Sequence, residues 1–306
     1  MGLLVEGQWH DHWYDTKENN GRYVRKDSSY GNQITADGSS GFKAEAGRYR
    51  LFVSYACPWA HRTLIFRALK GLQDMIPATV VDPLMLENGW ILPDGQPLHT
   101  VYTKTDRNFT GRVTVPVLWD EQTETIVNNE SSEIIRMFNT AFDDLGAKEG
   151  CYYPENLRSA IDEINDFIYP SVNNGVYRCG FATTQEAYEE AFDELFNALD
   201  SLEERLSKQR FLVGDQITEA DWRLFTTLVR FDPVYVGHFK CNKKRLYDYP
   251  NLWAYTRELY QWPGVKETVF MDHIKTHYYT SHRMINPTGV VPTGPETDFT
   301  EPHGRS

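Results

Sequence analysis

Cysteine is scarce in this chain, with four in 306 residues and no Cys-x-x-Cys pair. That scarcity argues against a disulfide framework and against a zinc-ribbon type of site. Positive charge is also in short supply. Thirty-one Lys and Arg face 43 Asp and Glu, a net charge of −12, which makes nucleic-acid phosphate or an anionic membrane a poor partner. No apolar run approaches the length of a membrane-spanning helix. The start, Met1-Gly2-Leu3-Leu4-Val5-Glu6, has no basic region and meets an acid before any long apolar stretch, so it does not read as a signal peptide. Glu6 stands where a myristoylation motif wants Ser or Thr. There is no internal repeat. The expected setting is the reducing cytoplasm, where a cysteine in a special context reads as chemistry.

What is present is enough for real cores: 41% apolar and 14% aromatic residues over a length that fits two domains. Residues 1–47 are polar and turn-rich, broken by Trp9, Trp13 and Tyr14, and read as an irregular N-terminal extension whose aromatics pack onto the body. His10, Asp11 and His12 are adjacent, point in different directions and have no further ligand cluster, so no metal is expected there. Residues 48–145 read as β-α-β-(α)-β-β-α. Its signals are an alternating strand at 48–55, a helix after Cys57, a strand at 78–81 and a loop-like 82–99. A short helix near 99–108 follows, then a proline-interrupted strand at 113–119, a strand at 125–127 and a helix opening at Glu130-Ser131. From 151 to 280 the pattern is helical, with helices expected at 155–172, 188–206, after a capping-box-like Thr218-Glu219-Ala220-Asp221, at 249–261 and at 264–277. Residues 281–306, with four prolines from Pro287 to Pro302, read as a tail without regular structure. The fold class expected is an α/β thioredoxin-like N-terminal domain followed by an all-α domain.

Cys57 lies where the first strand turns into a helix, with Pro58 at the first helical position, where a missing N–H costs nothing. A thiolate, not a thiol, attacks sulfur, and a helix N-terminus offers unpaired N–H groups and a favourable dipole to hold that charge. Ala60 occupies the place of a resolving cysteine. The site therefore cannot close its own disulfide, and an external thiol, glutathione being the obvious one, must resolve any mixed disulfide. His61 sits one turn on and is expected to pack or hydrogen-bond. Cys151, Cys179 and Cys241 have no comparable setting and read as structural.

Pro116 inside a strand costs a ladder bond unless it marks an edge or a special turn. In a thioredoxin-like fold this is a cis-proline beside the nucleophile, leaving the preceding backbone free to pair with a thiol ligand. Glu130-Ser131 at a helix start suits either a plain N-cap or a grip on an amino-acid group, with N–H groups and the Ser hydroxyl on a carboxylate and Glu130 on an ammonium. Arg107 and Arg112 lie close before the strand and offer cations for the other carboxylate.

These residues resemble the glutathione transferase superfamily, in its cysteine-type branch with the omega class. Gln8–Asp15, Tyr55-Ala56-Cys57-Pro58-Trp59-Ala60-His61-Arg62, Gly111–Asp120 and Asn128-Asn129-Glu130-Ser131-Ser132 together resemble the xi class, the glutathionyl-hydroquinone reductases. The likeness runs over nearly the whole chain. It implies glutathione as co-substrate without a metal, held by Trp90, by Arg112, Val113, Thr114 and Val115, and by Glu130 with Ser131. It also implies tyrosines around an aromatic substrate pocket. Tyr177 aligns as acid/base, and Tyr235 and Tyr278 as orienting groups, with Tyr279 the neighbour that leaves the last assignment open by one place. A homodimer is expected on the same ground. The activity implied is reduction of glutathionyl-hydroquinones through a Cys57–glutathione disulfide. The alternatives are an omega-like thioltransferase or dehydroascorbate reductase, or a non-catalytic interaction module of the same fold. An intact Cys57 speaks against the last.

Overall fold

A computed structural model describes residues 2–305. Residues 1–47 are not irregular throughout. Strands β1 (Leu3–Val5) and β2 (Gln8–His10) form a two-residue hairpin. Glu6 (φ 48°) and Gly7 (φ 76°) supply the left-handed turn it needs. A Cβ on Gly7 would lie 1.9 Å from the Arg107 carbonyl oxygen, so only glycine fits there. These strands span three residues each, too short for a periodicity to register. Two-residue strands β3 (Ile34–Thr35) and β4 (Phe42–Lys43) pair in parallel further on. The aromatics of the segment do pack onto the body: Trp9 stacks on His99 at 4.8 Å and Trp13 meets Phe181 at 4.9 Å.

Next come β5 (Tyr49–Val53), α1 (Pro58–Leu69), β6 (Ala78–Val80), α2 (His99–Thr105), β7 (Gly111–Arg112), β8 (Val117–Asp120), β9 (Thr125–Asn128) and α3 (Ser131–Thr140). The sheet order is β6-β5-β8-β9, with β6 parallel to β5 and the rest antiparallel. Tyr49, Leu51 and Val53 of the central β5 are fully buried, as a sheet covered by helices requires. The proline-interrupted strand divides in two. β7 leaves this sheet to pair with β1, residues 113–116 lie in neither strand, and the Val115–Pro116 peptide is cis, as expected.

The remainder is helical: α4 (Arg158–Ile168), α5 (Gly175–Gly180), α6 (Gln185–Leu206), α7 (Glu219–Arg230), α8 (Pro250–Tyr260) and α9 (Met271–Ser281). The predicted helix at 155–172 is regular only over α4. Pro170 has no N–H to give, and the chain passes into a π-turn at Tyr169–Asn173. Thr218 and Asp221 form the predicted capping box of α7. The helix predicted at 264–277 is displaced. Lys266–Thr268 makes one 3₁₀ turn and α9 begins only at Met271, because Phe270 leaves the helical path to stack on Tyr55 at 3.7 Å. Residues 282–305 have no regular element but are docked: Phe299 is buried against Trp253 and Tyr260, and Arg305 Nε donates to Glu258 at 2.7 Å.

The helical half is bolted to the sheet half through α1. Arg62 Nη2 donates to Asn173 at 3.0 Å, and His61 Nε2 meets Thr268 Oγ1 at 2.8 Å. Arg230, at the end of α7, is fully buried and donates to the carbonyls of Ala56 (2.9 Å), Tyr55 (3.1 Å) and Thr226 (2.7 Å).

Candidate active site

Cys57 is the N-cap of α1, with extended backbone (φ −74°, ψ 122°), and its carbonyl accepts from the His61 N–H at 2.9 Å. Pro58 takes the first helical position as expected. The thiol is half-buried and donates to the Val115 carbonyl at 3.5 Å, which sets it beside the cis-proline turn. Burial pushes the Cys57 thiol up, and this outweighs the lowering by the Ala60 N–H, the Arg25 charge, the Trp59 N–H and the Arg230 charge. The helix-start N–H groups lower the thiol in the expected direction, and burial acts against them.

Cys57 opens onto a narrow cleft of about 50 Å³. Trp13, Tyr14, Tyr23 and Arg25 come from the N-terminal segment, Trp59 from α1, and Trp90, Thr114 and Val115 from loops; Tyr177, Phe181, His277, Tyr278 and His282 come from the helical half. Tyr177 and Tyr278 hydroxyls are 2.5 Å apart, and Tyr235 lies 3.1 Å from Tyr278. Tyr278 is thus the central hydroxyl of the three. Burial raises its ionisation to about 12, against the lowering by the Arg230 charge and the hydrogen bonds from Tyr177 and Tyr235. Tyr177 and Tyr235 are raised well above the ordinary tyrosine value, burial first. Tyr235 is fully buried behind the cleft rather than on its surface. Tyr279 points elsewhere, its hydroxyl donating to Pro233 O at 3.3 Å, so the open choice falls on Tyr278.

Trp90 is buried, stacks on His277 at 4.8 Å, and its indole Nε1–H has no partner among the described residues. A buried, unpaired donor on the cleft wall is a ready contact for a ligand acceptor. Thr114 and Val115 line the cleft, whereas Val113 is buried beneath it. Arg112 donates to the carbonyls of His12 and Trp13 and stacks on Tyr14 at 4.3 Å, so it anchors the N-terminal segment. Arg112 faces an adjoining pocket that joins the cleft at Tyr14, Arg25 and Thr114. Arg107 is exposed and lines neither space.

Glu130 is the N-cap of α3. Oε1 accepts from the Ser132 N–H (2.9 Å) and from the hydroxyls of Ser131 (3.3 Å) and Ser132 (3.0 Å), and Oε2 from Ser28 (2.9 Å). Burial would raise its carboxyl, but the Ser132 N–H, the Ser28 hydroxyl and the Arg25 and Arg62 charges hold it below the ordinary value. Ser131 is buried and receives Arg62 Nη1 at 3.4 Å. Both stand behind the adjoining pocket, reached through Ser28 and Asn129.

His61 takes the hydrogen-bonding role expected of it. Its Nδ1 faces Arg230 at 2.9 Å, and burial, then the Arg230 charge, lowers it well below the ordinary histidine range. Among the remaining cysteines, Cys179 and Cys241 are buried, whereas Cys151 is exposed and accepts from Asn139 at 3.2 Å. Among the described residues no three His, Cys, Asp or Glu side chains cluster as metal ligands, and no helix is long and apolar enough to cross a membrane. Arg25, Arg230 and His282 escaped the sequence reading. Nothing in local periodicity marks an arginine in a polar loop or in a last helical turn as near a thiol 32 or 173 positions away.

A strand–Cys-Pro–helix corner on a β-α-β-β-α sheet, facing an aromatic cleft built with a helical bundle, defines a cysteine-type glutathione transferase. Comparison with known proteins agrees. Residues 56–141 match the glutathione S-transferase N-terminal domain and 185–258 its C-terminal domain. The chain belongs to the glutathione transferase family and, within it, to the xi class. It is 56% identical to the glutathionyl-hydroquinone reductase YqjG of Escherichia coli over 100% of this chain and 98% of that protein. It is 55% identical to PcpF of Sphingobium chlorophenolicum, also a glutathionyl-hydroquinone reductase, over 96% of each. The glutathione-bound structure of YqjG superposes with a TM-score of 0.91 at 53% identity over 99% of both chains. The xi-class transferase of Natrialba magadii gives 0.92 at 48% identity over 100% of this chain and 96% of that one.

Proposed function

We propose that this chain reduces S-glutathionyl-hydroquinones to hydroquinones at the expense of glutathione, with Cys57 as nucleophile. The observation that carries the reading is one arrangement: a monothiol at a helix start, facing a tyrosine hydroxyl chain across an aromatic cleft. Cys57, ionised on substrate binding, attacks the sulfur of the conjugate. The S–S bond forms as the ring C–S bond breaks, its electron pair passes to the ring carbon, and that carbon takes a proton. Tyr177 serves as the acid/base, its proton moving along the 2.5 Å contact with Tyr278. Tyr235 holds Tyr278 in place from behind. Glutathione then attacks the Cys57–glutathione disulfide and leaves as oxidised glutathione, so its proton balances the one given to the ring.

Trp90, Thr114 and Val115 would hold the glutathione moiety from the cleft wall, with Glu130 and Ser131 at the far end and Arg112 and Val113 supporting the turn between. The same reading expects a homodimer in a reducing cytoplasm, and light scattering checks the former.

Intact mass after treatment with oxidised glutathione is expected to show one glutathione adduct that Cys57→Ser abolishes. An adduct that survives in Cys57→Ser, or full reductase activity in Cys57→Ala, would sink the proposal. Tyr177→Phe should slow the conjugate more than a small mixed disulfide, whose leaving thiolate needs no carbon protonated. Equal losses on the two would argue against the acid/base role.

A further inference from the structure

One side chain on the cleft wall carries a permanent positive charge, and it is Arg25 of the N-terminal segment. The wall's two histidines offer no second cation, since burial above all lowers His277 to about 4 and His282 well below the ordinary range. Arg25 sits over Trp59, its guanidinium carbon 4.4 Å from the ring centroid, and among the described residues it makes neither a hydrogen bond nor an ion pair. The nearby arginines are already engaged. Arg62 serves Asn173 and Ser131, Arg112 serves His12 and Trp13, and Arg230 serves Tyr55 and Ala56. A guanidinium stacked on an indole keeps its N–H edge free, and that fork matches a carboxylate bidentately. Arg25 is only partly buried, so its donors stay open to a ligand entering the cleft.

Arg25 also stands at the junction with the adjoining pocket, which Ser28, Thr114 and Asn129 line. Ser28 leads directly to Glu130, where Oε1 receives three donors and Oε2 only one, leaving acceptor capacity on Oε2. The γ-glutamyl group of glutathione carries an ammonium and a carboxylate on one carbon. A site for it needs a free acceptor and a free cationic donor side by side, and these two residues provide them.

We infer that Arg25 binds the γ-glutamyl carboxylate of the glutathione moiety, with Glu130 taking the adjacent ammonium. The inference rests on the proposed function above. It makes the N-terminal segment part of the substrate site rather than an accessory.

The test uses the full chain and two hydroquinone conjugates, one of glutathione and one in which a γ-aminobutyryl group replaces γ-glutamyl, removing only that carboxylate. In the wild type, the truncated conjugate should raise KM by about tenfold or more, the scale of a charge-assisted pair. Arg25→Met should raise KM for the full conjugate by a similar factor and add little further loss on the truncated one. Arg25→Lys, which keeps the charge but not the fork, should fall between. Equal effects of Arg25→Met on both conjugates would overturn the assignment, since altered thiol ionisation or packing acts on both alike. An unchanged KM would overturn it too. Adduct formation at Cys57 is read on the same samples. Its absence in the wild type means the functional reading has failed, and its presence without coupling to the carboxylate means that only the Arg25 assignment has.

Discussion

At the scale of the residue, Cys57 is held between two opposing effects. Burial favours the neutral thiol, while the Ala60 and Trp59 N–H groups and the Arg25 and Arg230 charges favour the thiolate, and burial is the larger. In the free protein, the alkylation rate of Cys57 should therefore keep rising with pH beyond about 8.5, where an ordinary thiol is half ionised. A rate already flat by neutral pH would contradict this balance. The tyrosines give a second expectation. Tyr278→Phe strips the shared partner from both Tyr177 and Tyr235 and should cost about 1–3 kcal/mol in urea unfolding. Tyr235→Phe removes one outer member and should cost less in both stability and turnover. Cys-Pro and Glu-Ser could be read from the chain because each acts on its own backbone. The tyrosine hydroxyls could not, since their partners lie 101 and 43 positions apart.

At the scale of the element, α3 shows how one carboxylate caps a helix and fixes a loop. Glu130 draws in Ser132 of its own first turn and Ser28 of the distant N-terminal segment. Because its carboxyl is held below the ordinary value of 4.5, the stability it adds is complete above that pH and is lost as pH falls through the lower folded value. Glu130→Gln should thus cost about 1 kcal/mol at neutral pH, with the gap to wild type closing in acid. Melting curves from neutral pH to below pH 4 check this, and a gap that widens in acid would refute it. Elements marked by a cap, such as α1 at Cys57-Pro58 and α7 at Thr218–Asp221, were legible with their starts. The β1–β2 hairpin was not, because its strands are only three residues long and its turn is Glu6-Gly7 rather than a familiar Asn-Gly. The displacement of α9 was not either, because the Tyr55–Phe270 stack that causes it is a tertiary contact.

At the scale of the whole molecule, sheet and bundle meet over charged and polar contacts buried along α1 and α7. Arg230 has no carboxylate within ion-pairing distance among the described residues and instead ties down the two carbonyls just before Cys57. Arg230→Met would leave those acceptors and His61 Nδ1 unpaired and should destabilise by about 3 kcal/mol or more. It should also slow glutathione adduct formation at Cys57. With the junction intact, the sheet and bundle are expected to melt in one calorimetric transition whose calorimetric and van't Hoff enthalpies agree. Two separated transitions in the wild type would show that the junction is weaker than its contacts imply.

The sequence by itself determined the local chemistry: a strand that turns at Cys57, a proline that starts the helix, no second thiol at Ala60, and a proline turn at Val115-Pro116. Such features depend on backbone within a few positions, where residue type leaves few choices. Tertiary structure alone decided the rest. It made Tyr278 the central hydroxyl, buried the thiol enough to raise it, put Arg230 behind the nucleophile from 173 positions away, and left Arg25 unspent over Trp59. Side-chain direction across a domain junction is set by how two surfaces pack, and no local period records that.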